Sequence, residues 1–155
     1  MQRLLLDTNI VIDYLAQRQP FYVMARRLMV LGAIGEVELW ISASQINDVF
    51  YIASEGGRTQ LGQLVQERLR KCRAFLHICP LDERDVDVAL EKDWDDLEDA
   101  CVEVCANKLK ADWIITRDAG FRDSSIQAID ASRYFEWLKD KRGVSYTELT
   151  LGADE

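Results

Sequence analysis

The sequence has 155 residues, of which 48% are hydrophobic and 30% are charged, and its formal net charge is −8 at pH 7. This length and hydrophobic content are typical of one folded domain and exclude a disordered chain. No apolar run approaches the roughly 18 residues that a membrane-spanning helix needs, and no secretory signal is seen at the start. We therefore expect a cytoplasmic protein without a membrane partner.

The charge is unevenly distributed along the chain. Residues 1–81 carry nine basic and seven acidic side chains, whereas residues 82–155 carry ten basic and twenty acidic ones. Broad affinity for nucleic acid usually needs a cationic surface, so the overall balance argues against nonspecific binding to polyanions. The excess acidic side chains in residues 82–155 either form a solvent-exposed surface or belong to a functional site.

The four cysteines are too few for the disulfide framework of a small secreted protein, and none forms a C-x-x-C pair. Cys101 and Cys105 lie four residues apart on the apolar side of a helical pattern. We interpret the cysteines as buried free thiols in a reducing cytoplasm. A zinc site or a redox role is the alternative.

Short β-prone runs alternate with longer helical patterns along the chain. Strands are predicted at Arg3–Leu6, Glu38–Ile41, Leu76–Cys79, Trp113–Thr116 and Ala128–Ile129. Helices are predicted at Ile10–Leu15, Phe21–Gly35, Ser44–Ser54 (with Ser44 as its cap), Thr59–Phe75, Asp82–Asp93, Leu97–Lys110 and Ser132–Lys141.

Strands separated by helices pair in parallel through right-handed crossovers. The pattern predicts an α/β fold, a three-layer α/β/α sandwich around a central, mostly parallel sheet of four to five strands. Two prolines and eight glycines leave no stretch that resembles a linker. We predict one domain over residues 1–142, followed by a weakly patterned tail at residues 143–155.

Acidic side chains follow the predicted strands at the edge where such sheets bind their ligands. Asp7 comes directly after the first strand, and Asp118 comes one residue after the fourth. Asp48 lies on the helix after the second strand. Asp99, with Asp96 and Glu98 beside it, lies in the first turn of the helix that leads to the fourth strand. The fold is expected to gather these acids, whereas Asp13 is expected to be solvated.

Carboxylates that converge without histidines or thiols repel one another unless a hard cation lies between them, and oxygen ligands suit Mg²⁺ or Mn²⁺. Such an ion can activate a water for attack on a phosphodiester. An aspartate at a helix N-terminus is often only a cap, and this alternative is strongest for Asp96 and Glu98. No dinucleotide-binding or P-loop glycine pattern is found.

Four motifs resemble, in order and spacing, those of PIN domains, and in particular the branch that holds the bacterial VapC-type toxins. They are LLLDTNIVIDYL at Leu4–Leu15, ISASQINDVFYI at Ile41–Ile52, DLEDA at Asp96–Ala100 and ADWIITRD at Ala111–Asp118. The similarity covers about residues 1–140. It implies a metal-dependent ribonuclease with an α/β/α sandwich.

The resemblance also assigns expected roles to single residues. Asp7, Asp99 and Asp118 match metal-binding acids of the family, and Asp48 falls where the family normally has glutamate. Aspartate is one methylene shorter than glutamate. Asp48 would therefore reach the metal only through a water molecule, or its helix would have to lie closer to the metal. The remaining assignments are Thr8, Asn9 and Thr116 as supporting polar residues, Asp96 and Glu98 as auxiliary acids, and Arg117 and Arg122 as contacts to RNA phosphates.

The leading hypothesis is a Mg²⁺- or Mn²⁺-dependent endoribonuclease that acts as the toxin of a type II toxin–antitoxin pair. The resemblance implies a homodimer and an antitoxin protein that covers the site. One alternative is a catalytically weak or inactive PIN-like module that binds RNA or protein. Another is a house-keeping RNA-processing nuclease.

Overall fold

The computed structural model describes residues 1–146, and its centre is a five-stranded sheet in which every pairing is parallel. The strand order is β3-β2-β1-β4-β5. The strands are β1 (Gln2–Leu6), β2 (Val37–Ser42), β3 (Leu76–Cys79), β4 (Trp113–Ile115) and β5 (Ala128–Ile129). The chain moves outward from β1 to β3 and then returns to place β4 on the other side of β1. The junction between β1 and β4 is thus the switch point at which such sheets bind ligands.

Within residues 1–146, seven helices cover both faces of the sheet. They are α1 (Thr8–Leu15), α2 (Tyr22–Ala33), α3 (Ile46–Ala53), α4 (Thr59–Cys72), α5 (Glu83–Glu91), α6 (Leu97–Leu109) and α7 (Ala131–Arg142). Leu4 and Leu6 of β1 are buried in the core formed with α1 to α4 and α7. Leu5 is buried in the core formed with α6 on the opposite face. Because side chains alternate along a strand, this one run of leucines joins both cores. The predicted three-layer α/β/α sandwich is confirmed.

Aspartate side chains cap several of the helices, as their preference for N-terminal positions predicts. Asp7 accepts a hydrogen bond from the backbone N–H of Thr8, and Asp82 and Asp85 form a reciprocal capping box at α5. The prediction that Ser44 caps a helix is wrong. Ser42 instead begins a 3₁₀ turn at Ala43–Gln45, and α3 starts after this turn.

The chain beyond α7 is described only as far as residue 146, so most of the predicted tail lies outside the described residues. Helix α7 ends at Arg142, where Gly143 takes a left-handed backbone conformation (φ 66°). The predicted domain boundary at residue 142 stays a prediction. All four cysteines are buried and free. No helix within residues 1–146 is long and apolar enough to cross a membrane.

Candidate active site

Acidic residues from three elements meet at the carboxyl edge of β1 and β4. The backbone N–H of Asp7 donates to the carbonyl oxygen of Ile115 (2.9 Å), so the hydrogen-bonded pairing of β1 with β4 extends to Asp7. Asp118 begins the 3₁₀ turn that follows β4, and Asp99 lies in the first turn of α6. The switch point of the sheet therefore places Asp7, Asp99 and Asp118 beside one another.

Asp7 is held by side chains of its own motif and by Thr116. It is only 4% exposed and accepts hydrogen bonds from Thr116 Oγ1 (2.7 Å), Asn9 Nδ2 (3.2 Å) and the backbone N–H of Thr8 (2.8 Å). Burial raises the pKa of Asp7, while the bonds from Thr116 and Thr8 oppose that change. Thr116 Oγ1 also accepts from the backbone N–H of Asp118 (2.9 Å). The Thr116 hydroxyl therefore holds both the carboxyl of Asp7 and the backbone of Asp118.

Asp99 and Asp118 approach each other across Gly120. A Cβ at Gly120 would lie 2.6 Å from Asp99 Oδ2 and 3.5 Å from Asp118 Oδ1, so glycine is needed for this close approach. Burial raises the pKa of Asp99 to about 7, and the negative charges of Asp7, Asp96 and Asp118 contribute to the rise. Asp99 therefore resists full ionisation near neutral pH.

Gln45 is a site residue that the sequence analysis missed. Its Nε2 donates to the carbonyl oxygen of Leu6 (2.9 Å) and to Thr8 Oγ1 (3.2 Å), and its Oε1 accepts from the backbone N–H of Ser42 (2.6 Å). It is fully buried and joins the end of β2 to the end of β1. The S-x-x-Q spacing of a capping box, present at Ser42–Gln45, is the signal that could have found it.

Glu98 and Asp48 form the rim of the site on the side of α3. Thr8 Oγ1 donates to Glu98 Oε1 (2.7 Å). Burial raises the pKa of Glu98, the carboxyls of Asp48 and Asp7 add to the rise, and the bond from Thr8 opposes it. Glu98 is half-buried, whereas Asp48 is exposed.

The donor set suits a hard divalent cation. Asp7, Asp99 and Asp118 supply carboxylate oxygens, and Asn9 Oδ1 is buried beside them without a hydrogen-bond partner in the described structure. Oxygen-only donors of this kind fit Mg²⁺ or Mn²⁺. Even so, no group of three or more His, Cys, Asp or Glu within residues 1–146 is already arranged as a metal cage.

The remaining predicted site residues lie around this centre. Asp96 caps α6 by accepting from the backbone N–H of Asp99 (3.2 Å), and its charge also acts on Asp7. Its capping role is therefore structural, although it adds to the negative potential of the site. Arg122 is exposed on the segment that follows Gly120.

Arg117, predicted to contact phosphate, is held by the protein itself. Its Nε and Nη2 atoms donate to both oxygens of Asp13 (3.0 and 2.9 Å), and its guanidinium carbon lies 3.7 Å from the centre of the Phe21 ring. Asp13 is 1% exposed, so the expectation that it is solvated is wrong. The pair fixes the backbone immediately before Asp118.

Replacing Arg117 with methionine is expected to lower the free energy of unfolding by about 3 kcal/mol at pH 8, because it leaves the buried Asp13 carboxylate without its partner. The loss should be smaller at pH 5, since burial already raises the pKa of Asp13 and the Arg117 charge opposes this. Urea unfolding at the two pH values measures both effects. Arg58→Met, which breaks an exposed pair with Glu55 (3.1 Å), is the matched control and should cost at most about 1 kcal/mol. Equal losses in the two variants would contradict the prediction.

Comparison with known proteins identifies the family. The PIN-domain family model matches residues 3–120, about three quarters of the chain. The chain therefore belongs to the PIN-domain family, whose members are generally nucleases. The search of the curated proteins found no match.

Solved structures with the same fold are similar to this chain at low sequence identity. VapBC2 from Rickettsia felis, solved bound to a DNA fragment from its promoter, has a TM-score of 0.61 at 14% identity, covering 83% of this chain and 98% of that chain. FitAcB from Neisseria gonorrhoeae has a TM-score of 0.58 at 15% identity with the same coverages. FitAB bound to an IR36 DNA fragment has a TM-score of 0.54 at 18% identity, covering 83% and 94%. At these low sequence identities, the structural similarity supports the assignment of the fold.

Proposed function

We propose that this PIN domain is a Mg²⁺- or Mn²⁺-dependent endoribonuclease that hydrolyses RNA phosphodiester bonds. The observation that carries the proposal is the convergence of Asp7, Asp99 and Asp118 at the switch point of the sheet. Burial, with a further contribution from the charges of the neighbouring acids, raises the pKa of both Asp7 and Asp99. A divalent cation among them would relieve that repulsion and would make this edge attractive to phosphate although the chain is acidic.

In this proposal, Asp7, Asp99 and Asp118 hold the ion, and Asp48, Asp96 and Glu98 complete the acidic surroundings. When bound, the ion lowers the pKa of an attacking water and polarises the phosphate. The neutral side chains of Thr8, Asn9 and Thr116 keep Asp7 in place. Arg122 is left to contact the RNA backbone, whereas Arg117 acts mainly by ordering the segment that carries Asp118.

The biological role that we propose is that of the toxin in a type II toxin–antitoxin pair, working in the cytoplasm as a homodimer that an antitoxin inhibits. Similarity in fold to VapBC2 and FitAB, which were solved as complexes on DNA, supports this role. The four free thiols suit a reducing compartment. A neighbouring reading frame for a small DNA-binding protein would support the role, and its absence would favour a house-keeping nuclease.

A non-catalytic module that binds RNA or protein is the second candidate. The exposed position of Asp48 and the lack of a preformed metal cage in the described chain favour it. Binding of Mn²⁺ distinguishes the two, because an ion that binds only the folded state raises the unfolding temperature by mass action. No such shift, together with retained RNA binding, would favour the module.

Incubation of the purified protein with total RNA and Mn²⁺ tests the enzymatic proposal. We expect cleavage by the wild type, none by Asp7→Asn, and normal cleavage by Asp87→Asn, which removes an exposed acid on α5. EDTA should stop the reaction. If the wild type and Asp7→Asn cut equally, or if neither cuts, the proposed activity is wrong.

A further inference from the structure

A cavity of about 520 Å³ is lined by residues of α1, of the start of α2 and of the start of α7. Ile10 and Met24 contribute apolar side chains to the lining, Phe21 contributes an aromatic ring and Ser132 a hydroxyl group. Ile10 is 2% exposed, whereas Phe21 is 41% exposed. The cavity therefore has an apolar floor and an aromatic ring at its mouth. Its volume is within the range of roughly 300–1,000 Å³ that small-molecule sites in proteins have.

The ring of Phe21 is held in place by Arg117. The guanidinium carbon lies 3.7 Å from the centre of the ring, and the guanidinium donates to both carboxylate oxygens of Asp13 (3.0 and 2.9 Å). Asp13 is 1% exposed, so the arrangement is anchored in the protein interior. The guanidinium covers one face of the ring, and the exposed part of Phe21 remains in contact with solvent. A fixed, partly exposed aromatic ring is the kind of surface on which nucleic-acid bases stack.

A second, smaller pocket of about 240 Å³ adjoins this cavity and extends to the acids of the proposed metal centre. It is lined by Thr116 and Asp118, and it shares Arg117 and Asp130 with the cavity. Arg133 also lines it, with a side chain that is 77% exposed and that pairs with Asp130 at 3.4 Å. Exposed pairs of this kind contribute little to stability, so a phosphate can replace Asp130 as the partner of Arg133.

We propose that the cavity binds one unstacked base of a single-stranded RNA whose backbone passes over Arg133 towards Asp118. Proteins recognise single-stranded RNA by stacking its bases on aromatic rings and by hydrogen bonds to the base edges. Phe21 supplies the ring, and Asp130 and Ser132 supply polar groups at the mouth. The occupant is RNA because the cavity and a cationic side chain continue directly into the centre proposed to cut RNA. This inference rests on the proposed function and names a residue, Phe21, that determines which strand is bound.

Fluorescence anisotropy with two labelled oligomers of equal length tests the inference. One is a single-stranded RNA without internal pairing, and the other is the same ribose-phosphate chain without bases. Titration in EDTA keeps the strand intact. The wild type should bind the RNA at least about 5-fold more tightly than the base-free chain, because stacking of one base on an aromatic side chain has an effect of this size.

Three variants separate the base from the phosphates. Phe21→Leu removes the ring and Ser132→Trp fills the mouth of the cavity. Both should remove most of the preference for RNA and leave the affinity for the base-free chain unchanged. Arg133→Gln should weaken binding of both oligomers equally and reduce the salt dependence of binding, because it removes a phosphate contact.

Two control variants lie away from the cavity. Leu90→Ala removes an apolar side chain that is 57% exposed on α5, and Gln66→Trp adds a large ring at an exposed position of α4. Both should bind like the wild type. Urea unfolding checks that each variant folds, and Ser132→Trp, at an exposed position, carries the test if Phe21→Leu does not fold. The inference is wrong if the wild type binds the two oligomers equally. It is also wrong if the cavity variants keep the preference for RNA, which would leave a protein segment as the alternative occupant.

These outcomes are distinct from those that decide the proposed function. If the cavity variants lose the preference for RNA but the wild type does not cut RNA with Mn²⁺, the base site stands and the proposed activity fails. If the wild type cuts RNA with Mn²⁺ and the cavity variants bind RNA as it does, only the base site is wrong.

Discussion

Replacing Asp99 with asparagine is expected to abolish RNA cleavage and, at the same time, to stabilise the metal-free fold. Asp99 is 7% exposed, and its burial, together with the charges of the surrounding acids, raises its pKa to about 7. Asparagine has nearly the same shape without the charge. At pH 8 the variant should unfold with a free energy about 2–3 kcal/mol higher than that of the wild type, given that one pKa unit corresponds to about 1.4 kcal/mol and part of the repulsion relaxes.

The pH dependence of this difference has a definite sign. The pKa of Asp99 is higher in the folded protein than the ordinary value of 3.8, so ionisation favours the unfolded chain as pH rises from about 4 to 7. The advantage of Asp99→Asn should therefore be small near pH 4, grow up to pH 7 and stay constant above it. Thermal or urea unfolding in EDTA at pH 4.5, 6 and 8 measures it.

Two further observations decide whether the effect belongs to the site. Asp87→Asn, which removes an exposed acid, should change stability by no more than about 0.5 kcal/mol at any of these pH values. With saturating Mn²⁺ the order should reverse, because the wild type gains stability from the ion and the variant does not. A variant that is no more stable than the wild type at pH 8 without metal would show that the acids do not repel as described.

Such an opposition between stability and activity would indicate that the acids are placed for function. A fold that only needed a cap at α6 already has one in Asp96, which accepts from the backbone N–H of Asp99. The Asp99 carboxyl is not needed for that cap. Natural proteins commonly retain residues that lower stability where function requires them.

The sequence predicts Asp7 and Asp118 as site residues because both follow parallel strands, whose carboxyl ends share one edge. Their proximity is then a consequence of the strand order β2-β1-β4. The run of leucines in β1 likewise predicts a strand buried on both faces. These parts of the fold can be predicted because they depend on the local hydrophobic pattern and on general rules for how strands and helices are connected.

Other parts of the site depend on tertiary contacts that no local pattern contains. The pairing of Asp13 with Arg117 joins residues 104 positions apart, so the helical pattern around Asp13 alone suggested a solvated side chain. The exposure of Asp48 depends on the placement of α3, and Gln45, the residue before α3, is anchored to the end of β1 by its hydrogen bond to the carbonyl oxygen of Leu6.

Replacing Thr116 with valine is expected to lower cleavage by about 100-fold, because its hydroxyl joins two acids whose relative position matters to a fraction of an ångström. Thr116 Oγ1 donates to Asp7 Oδ2 (2.7 Å) and accepts from the backbone N–H of Asp118 (2.9 Å), and the residue is 4% exposed. Valine keeps the shape and removes both bonds. Asp7 then loses the hydrogen bond that opposes its rise in pKa, and the N–H of Asp118 loses its acceptor.

The loss of these two bonds should also lower the free energy of unfolding by about 1–3 kcal/mol, since a buried polar group without a partner carries its full desolvation cost. Thr116→Ser is the matched control because it keeps the hydroxyl and removes only the methyl group. It should retain cleavage within about 3-fold of the wild type, an energy difference of roughly 0.7 kcal/mol. Single-turnover cleavage with Mn²⁺ and urea unfolding in EDTA measure the two effects separately. If valine is tolerated as well as serine in the cleavage assay, the hydroxyl does not position Asp7 and Asp118 for catalysis, whatever it contributes to stability.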